Sequence, residues 1–122
     1  DLVLSLGPVI RHVQLKTMKK GGKARFQPVH ASLAEQPSGC VVWIVLNEDL
    51  SFDHFLWYGA GPRRPLLKLL ECKRARNTRA GAQGVKGLRA RTRKVPKSAF
   101  DSVPDMATLV GRLFGRMPKG DR

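Results

Sequence analysis

Residues 1–16 read DLVLSLGPVIRHVQLK, and this stretch predicts a β-hairpin around which the rest of the chain is organised. Apolar and polar residues alternate on either side of Gly7-Pro8, and a period of two is typical of a strand with one buried face. Gly7-Pro8 itself is typical of a turn. The sequence therefore predicts a short strand before the turn, paired antiparallel with a second strand from Val9 to Lys16.

The predicted hairpin brings three polar side chains together at one strand end. Gln14 and Lys16 lie two residues apart and so share a face of the strand. The turn places Asp1 opposite residues 12–14, where facing Cβ atoms are about 5 Å apart. A carboxylate, an amide oxygen and an ammonium group then converge, which predicts a metal and phosphate site. The alternative is that the three residues lie on the strand without a chemical role.

Later segments predict a sheet with helices around it. Cys40–Leu46 is a run of seven apolar residues, typical of a central strand buried on both faces. Pro28–Gln36 predicts a helix, which would be the crossover that makes this strand parallel to the hairpin strand. Phe52–Tyr58 predicts an antiparallel neighbour. Pro104–Arg116 predicts an amphipathic helix. Its apolar stripe consists of Met106, Leu109, Val110, Leu113 and Phe114.

Two segments between the predicted sheet and the last helix have distinct compositions. Leucines within residues 66–70 predict a short helix or a docked segment that covers the sheet edge. Residues 73–98 contain ten of the 23 Lys and Arg residues and no acid. They predict a long basic loop with a short strand near Thr92–Val95. This loop is either an arm that contacts nucleic-acid phosphates or a flexible basic segment.

The charge of the chain is its most unusual global property. It has 23 Lys and Arg against 9 Asp and Glu, a net charge of +14 and a pI near 11.0. A charge this large favours polyanionic partners. We expect nucleic acid rather than a membrane, because no run of 18 apolar residues offers a span. The alternative is a basic surface that keeps the protein soluble.

Length and cysteine content narrow the class of protein further. A chain of 122 residues with 42% hydrophobic content predicts one globular domain, residues 1–122. Cys40 and Cys72 form no C-x-x-C motif, so they indicate neither a zinc site nor a disulfide framework. The sequence shows no secretory signal, and the cytoplasm is the default expectation.

Side chains expected to contact nucleic acid fall in the loop after the hairpin and in the basic stretch. They are Lys19, Lys20, Lys23, Arg25, Lys73, Arg74, Arg76, Arg79, Lys86, Arg89, Arg91, Arg93 and Lys94. Trp57 and Tyr58 either stack on bases or pack in the core. His30 is either a general base or a surface residue of the predicted helix.

The order of these features resembles the PD-(D/E)XK nuclease superfamily, in particular its small bacterial restriction-endonuclease-like proteins. An acid on one strand, a hairpin and then Gln14-Leu15-Lys16 carry the resemblance, together with the Gly/Lys loop and the strand CVVWIVLN. It covers roughly residues 1–60. The resemblance implies an α/β fold with a mixed β-sheet core flanked by helices. The family's helix before the first strand would precede Asp1 and is expected to be missing here.

The resemblance implies an endonuclease that depends on Mg²⁺ or Mn²⁺ and acts on DNA more readily than RNA, and it allows a homodimer. Asp1, Gln14 and Lys16 would be catalytic. Asp1, the Gln14 amide oxygen and the Leu15 carbonyl would bind the metal ion. Lys16 would orient the attacking water or stabilise negative charge. Because Gln14 is neutral where an acid is commoner, we expect weaker metal affinity. The alternatives are a non-catalytic nucleic-acid-binding protein, such as a degenerate nuclease, and a basic component of a ribonucleoprotein.

Overall fold

The computed structural model describes residues 2–36, 38–74 and 91–115, which form two packed β-sheets and one α-helix. The strands are β1 (Leu2–Leu6), β2 (Val9–Lys19), β3 (Phe26–His30), β4 (Gly39–Leu46), β5 (Phe52–Gly59), β6 (Lys73–Arg74), β7 (Thr92–Pro96) and β8 (Asp101–Val103). The α-helix α1 spans Met106–Phe114, and three short 3₁₀ helices span Ala31–Glu35, Leu67–Glu71 and Lys97–Ala99.

The larger sheet has the strand order β1-β2-β4-β5-β8 and contains both parallel and antiparallel pairs. β1 and β2 form the predicted antiparallel hairpin, with Leu2 opposite Val13. β2 and β4 are parallel, and β5 is antiparallel to β4. The sequence-based predictions of the hairpin, the central strand and its two neighbours are therefore confirmed. The chain is a mixed α/β protein whose five-stranded sheet is itself mixed.

The crossover between β2 and β4 differs from the prediction, because Pro28–Gln36 is not an α-helix. Its first part belongs to β3, and a 3₁₀ helix follows. β3 is an edge strand of the smaller sheet, whose order is β3-β7-β6, and an edge strand tolerates Pro28, which lacks an N–H. Val29 lies on this strand and is completely buried. A strand, rather than the predicted helix, therefore places Val29 in the core.

The two faces of the large sheet are covered by different kinds of structure. The smaller sheet and the first two 3₁₀ helices cover one face, and α1 covers the other. The core of the first face includes Val29, Val41, Trp43, Val45, Leu56, Tyr58, Leu66, Leu69, Val95 and Phe100. The core of the second includes Val13, Cys40, Val42, Phe55, Trp57, Val103, Leu109 and Leu113. The expectation of flanking α-helices thus holds for the second face only.

The burial of several side chains distinguishes between alternatives that the sequence left open. Trp57 and Tyr58 are each only 3% exposed, so they pack in the core, and the interpretation as base-stacking residues is wrong. Within the apolar stripe of α1, Leu109 and Leu113 are buried, whereas Met106 is 49% exposed. The helix therefore contacts the sheet along a narrower line than its sequence predicted.

The C-terminal half of the chain contains more regular structure than a long loop. The 3₁₀ helix Leu67–Glu71 buries Leu69 completely, as expected for a segment docked on the sheet. Lys73–Arg74 and Thr92–Pro96 are paired strands of the smaller sheet. The short strand predicted near Thr92–Val95 is confirmed, whereas the prediction of a loop is wrong for Lys73–Arg74. Residues 75–90 of the predicted loop lie outside the described residues.

Arg11 lies on β2, is completely buried, and joins three separate parts of the chain. Its Nε donates a hydrogen bond to the carbonyl of Leu113 at 2.6 Å, at the end of α1. One Nη donates to the carbonyls of Ala60 at 2.7 Å and Arg112 at 3.1 Å, and the other donates to Ser38 at 3.2 Å. These contacts connect the hairpin to α1 and to the segments next to β4 and β5.

Backbone carbonyls and an aromatic ring stabilise this buried cation. The carbonyls at the end of α1 carry the negative end of the helix dipole. The guanidinium carbon of Arg11 lies 5.1 Å from the centre of the Trp57 ring, within range of a cation–π interaction. Burial lowers the pKa of Arg11 because desolvation disfavours the charged form. Burial also raises the pKa of the nearby Cys40 thiol to about 11, which keeps this thiol neutral.

We expect Arg11→Met to lower the free energy of unfolding by about 3 kcal/mol. Met fills much of the same volume, but it removes the side-chain donor to the carbonyls of Leu113, Ala60 and Arg112. Urea denaturation followed by tryptophan fluorescence would measure the loss. Arg64→Met, at an exposed arginine, is the matched control and should change stability by no more than about 0.5 kcal/mol. An Arg11→Met protein as stable as the wild type would contradict this role.

Candidate functional site

Gln14 and Lys16 lie on one face of β2, at the border of the core. Gln14 is opposite Val41 and Lys16 is opposite Trp43 in the parallel pairing with β4. Val41 and Trp43 belong to the core beneath the smaller sheet, so the Gln14 and Lys16 side chains emerge on that face. Both are half-buried. Asp1, the third member of the predicted site, lies outside the described residues.

The Gln14 amide borders a cavity between the β1–β2 hairpin and the crossover segment. The cavity has a volume of about 170 Å³. Its polar lining consists of His12, Gln14, His30, Ser32 and Gln36. Oε1 of Gln14 is buried and has no hydrogen-bond partner among the residues that the structure describes. A buried acceptor without a donor is costly, and it is the kind of oxygen that a cation or a ligand N–H would satisfy.

His30 is fixed in orientation by the start of the 3₁₀ helix that follows it. Its Nδ1 accepts a hydrogen bond from the backbone N–H of Ser32 at 3.1 Å and lies 2.8 Å from the Ser32 hydroxyl. Because Nδ1 is an acceptor, the neutral ring carries its proton on Nε2. The sequence left His30 as a general base or as a surface or half-buried residue of a helix, and the structure places it half-buried in the wall of a cavity. The sequence did not indicate that His12, His30, Ser32 and Gln36 share a site. The reason is that the crossover segment was expected to be helical.

Lys16 is a partly desolvated ammonium group beside this cavity. Burial lowers the pKa of Lys16 below its ordinary value of 10.5, since desolvation disfavours the charged form. An ammonium group that has lost part of its water interacts more strongly with an incoming anion than an exposed one does. Lys16 is thus a half-buried cation on the same strand face as Gln14.

The carbonyl of Leu15 faces the β1 side of β2, away from β4. The backbone N–H groups of His12 and Lys20 donate to Ser38 and Leu46 on the β4 side, so the even-numbered residues of β2 face β4 along this ladder. Leu15 faces the other way. On that side, β1 is described only as far as Leu2, opposite Val13. The carbonyl is thus directed toward the edge at which the predicted metal site would lie.

The oxygen atoms near Gln14 and Leu15 match a divalent cation in kind but not in charge. Mg²⁺ and Mn²⁺ bind oxygen ligands, and the unpartnered Gln14 Oε1 and the outward Leu15 carbonyl are oxygens. Both are neutral. No group of three or more His, Cys, Asp or Glu side chains that could hold a metal ion occurs among residues 2–36, 38–74 and 91–115. The described donors fit such an ion in kind and provide no negative charge.

A basic surface lies on the loop that follows β2. Lys19, Lys20, Lys23 and Arg25 are all exposed. A shallow crevice of about 560 Å³ is lined by Lys23, Arg25 and Lys97, together with the small residues between them. The backbone N–H of Lys97 donates to the carbonyl of Arg25 at 2.7 Å, which holds the two segments together. Lys97 was missed from the sequence because it is distant from this loop along the chain.

Other basic residues expected to contact nucleic acid already have protein contacts. Lys20 forms an exposed ion pair with Asp53 at 3.3 Å, and Arg91 forms one with Glu35 at 3.3 Å. Such surface pairs are weak and exchange readily with phosphates. The Lys94 ammonium lies 4.3 Å from the centre of the exposed Phe26 ring, and Lys73 is exposed on the same small sheet.

Arg93 faces into the protein and has a structural contact. Its Nη1 donates to the carbonyl of Cys72 at 3.2 Å, and its Nε is buried without a partner. This orientation corrects the expectation that Arg93 belongs to an exposed arm, so we remove it from the set of phosphate-contacting residues. Arg74 lies on β6. Residues 76, 79, 86 and 89, also expected to contact phosphates, lie outside the described residues.

Comparisons with known proteins found no relative. No protein-family model matches the chain, and neither a curated protein nor a solved structure matches it. Within the part of the chain that the structure describes, no helix is both long and apolar enough to cross a membrane.

We expect Lys16→Met to raise the melting temperature, because it removes a partly desolvated charge. The lowered pKa of Lys16 means that the unfolded chain binds this proton more tightly. Wild-type stability should therefore rise as the pH increases through the lowered pKa toward 10.5, and the variant should lack this rise. Thermal unfolding at several pH values measures both effects, with Lys19→Met at the exposed end of β2 as the control. A lower melting temperature for Lys16→Met at neutral pH would indicate a structural lysine instead.

Proposed function

We propose that this protein binds nucleic acid, DNA in the first place, and hydrolyses phosphodiester bonds with Mg²⁺ or Mn²⁺ at a site on β2. Gln14, Leu15 and Lys16 form this site together with Asp1. The observation that carries the proposal is the pairing, on one strand face, of an unpartnered buried amide oxygen with a partly desolvated ammonium group. The resemblance to the PD-(D/E)XK nucleases adds the expected role of each residue.

The arrangement of strands supports a site at this position. The Gln14-Leu15-Lys16 strand is the one that pairs in parallel with the buried strand β4 and antiparallel with the hairpin strand β1. Within the described residues, β1 pairs with Val9–Val13 of β2, and β4 pairs with His12–Lys19. A strand held by its neighbours can present side chains and a carbonyl to a ligand without rearrangement.

Each residue has a distinct task in the proposed reaction. A bound divalent ion would supply an activated water and neutralise charge on the phosphate. Gln14 Oε1 and the Leu15 carbonyl would contribute oxygen ligands, and Asp1 would contribute the carboxylate that the described donors lack. Lys16 would donate from its ammonium group to a phosphate oxygen, where negative charge increases in the transition state.

The basic surface supports nucleic acid as the substrate. Lys23, Arg25 and Lys97 converge on one crevice, and Lys19 and Lys20 extend it toward β2. Phosphate contacts of this kind position a backbone without reading its sequence. We propose the cytoplasm as the compartment. The homodimer that the resemblance allows stays a prediction, which light scattering can test.

A second candidate is a nucleic-acid-binding protein without catalytic activity. It is favoured by the neutral character of the two oxygen donors on β2, which would bind a divalent ion weakly without a carboxylate. The two candidates share the basic surface and differ only at Asp1, Gln14 and Lys16. Binding in the presence of a chelator, without cleavage in the presence of metal, would select the second candidate.

Cleavage should require a divalent ion and should depend on Lys16. We expect nicking or linearisation of plasmid DNA with Mg²⁺ or Mn²⁺, no product with EDTA, and a rate reduced at least about a hundredfold in Lys16→Ala. Gel electrophoresis over time measures these rates. Binding should be retained by the variant, because a single lysine makes a small contribution to backbone affinity. Equal cleavage by wild type and Lys16→Ala would refute the assigned site.

Gln14→Glu should strengthen metal binding by placing a carboxylate where the amide oxygen now lies. Calorimetric titration with Mn²⁺ would show a lower dissociation constant than for the wild type. Gln27→Glu, which makes the same charge change on β3 away from the site, is the matched control and should leave the constant unchanged. A Gln14→Glu protein with unaltered Mn²⁺ affinity would contradict the role of Gln14 as a ligand.

Binding to duplex DNA should weaken steeply with salt, because the basic crevice releases counterions from phosphates. Replacing Lys23, Arg25 and Lys97 with Ala should reduce the slope of log K against log salt by about 0.9 for each phosphate that the variant no longer neutralises. Fluorescence anisotropy at a series of salt concentrations gives this slope. Arg112→Ala removes one charge from α1, which covers the opposite face, and should not change it. An unchanged slope in the triple variant would contradict the assigned surface.

A further inference from the structure

The cavity beside Gln14 has the size and lining of a pocket for a neutral ring. Its volume is about 170 Å³, and an engineered cavity of about 150 Å³ accommodates benzene. Among residues 2–36, 38–74 and 91–115, none of those that line it is an Asp, Glu, Lys or Arg. An anion such as a phosphate would lose its hydration there without gaining a counter-charge, which is costly. The cavity therefore fits an uncharged ligand of about the size of a six-membered ring.

The lining separates apolar walls from polar edges, as recognition of a flat heteroaromatic ring requires. Val3 and Leu33 provide apolar contact. Ser32 and Gln36 provide a hydroxyl and an amide. His30 adds a ring whose Nδ1 is already occupied by Ser32, which leaves Nε2 as the nitrogen able to contact a ligand. Such a set can pair with the hydrogen-bonding edge of a base and pack against its faces.

The position of the cavity connects this ligand to the phosphate backbone. Gln14 belongs both to the cavity wall and to the proposed phosphodiester site, and Lys16 follows two residues later on the same strand face. A ring bound in the cavity is thus adjacent to a phosphate bound at Lys16. We propose that the cavity takes one unpaired, pyrimidine-sized nucleobase of the nucleotide next to that phosphate. This inference rests on the proposed function and names its substrate class, a strand with an unpaired base.

A base must be unpaired before it can enter the cavity. A base inside a duplex is stacked and paired, and bringing it out costs a few kcal/mol, whereas a single strand or a mismatch avoids most of this cost. Contact between one base and a protein pocket contributes about 1–3 kcal/mol. The pocket therefore favours single-stranded or locally unpaired nucleic acid, while the basic surface binds either form.

The test measures binding in EDTA, so that cleavage does not affect it. Fluorescently labelled oligo(dT) is compared with an oligonucleotide of the same length and charge that has abasic positions, and with a duplex. We expect the intact strand to bind about tenfold more tightly than the abasic one, which corresponds to about 1.4 kcal/mol. Oligo(dC) should behave like oligo(dT), and oligo(dA) should bind more weakly because a purine exceeds the cavity.

Two variants address the pocket without disturbing the fold. His30→Asn keeps the cap of the 3₁₀ helix, because the Asn oxygen can accept from the Ser32 N–H as Nδ1 now does, and it removes Nε2. Gln36→Ala removes an exposed side chain. Both should abolish most of the preference for the intact strand over the abasic one. His54→Asn and Gln27→Ala, which change the same residue types outside the cavity, should retain this preference.

The outcomes separate the pocket from the proposed reaction. Preference for the intact strand that is lost in the two pocket variants supports the pocket, whether or not the protein cleaves DNA with metal. Equal affinity of the wild type for intact and abasic strands overturns the pocket, even if duplex cleavage is observed. Absence of binding to every oligonucleotide overturns both the pocket and the proposed function. The comparison of intact and abasic strands uses wild-type protein, so it decides the question even if a variant fails to fold.

Discussion

The buried guanidinium group of Arg11 is the interaction on which the arrangement of the chain depends. It lies at the junction of the hairpin, the end of α1 and the segments next to β4 and β5. A buried charge is costly unless each of its donors is satisfied. The backbone carbonyls that satisfy it come from positions up to 102 residues from Arg11 in sequence. The charge therefore selects one relative placement of the helix and the sheet, because any other placement leaves it unpaired.

This constraint also fixes the strand that carries the candidate site. Side chains alternate along β2, so Arg11 and Val13 face the α1 side while Gln14 and Lys16 face the other side. The first pair is fully enclosed and the second is half-buried. One face of β2 thus makes the contacts that hold the fold together, and the other face carries the Gln14 and Lys16 side chains of the candidate site. A shift of β2 by one residue would exchange them.

Features set by local patterns could be predicted from the sequence, and features set by distant contacts could not. The apolar run Cys40–Leu46 is long enough to specify a buried strand, and the turn at Gly7-Pro8 specifies the hairpin. Pro28–Gln36 was misassigned because pairing with β7, more than sixty residues later, overrides a local pattern that suits a short helix. The burial of Arg11 could not be predicted from the sequence, since only the tertiary structure brings carbonyls to it. The face shared by Gln14 and Lys16 followed from strand periodicity, whereas the cavity beside them required the crossover.

The candidate site combines two environments that favour different parts of a nucleotide. The loop after β2 concentrates positive charge at the surface, where phosphates can keep part of their hydration while they bind. The cavity between the hairpin and the crossover is uncharged and largely apolar, where only the base can enter without an unpaired charge. Gln14 lies at the boundary between them, with an oxygen that no donor among the described residues satisfies. Because both environments meet at one residue on one strand, the proposed nucleotide would be held through its phosphate and its base together.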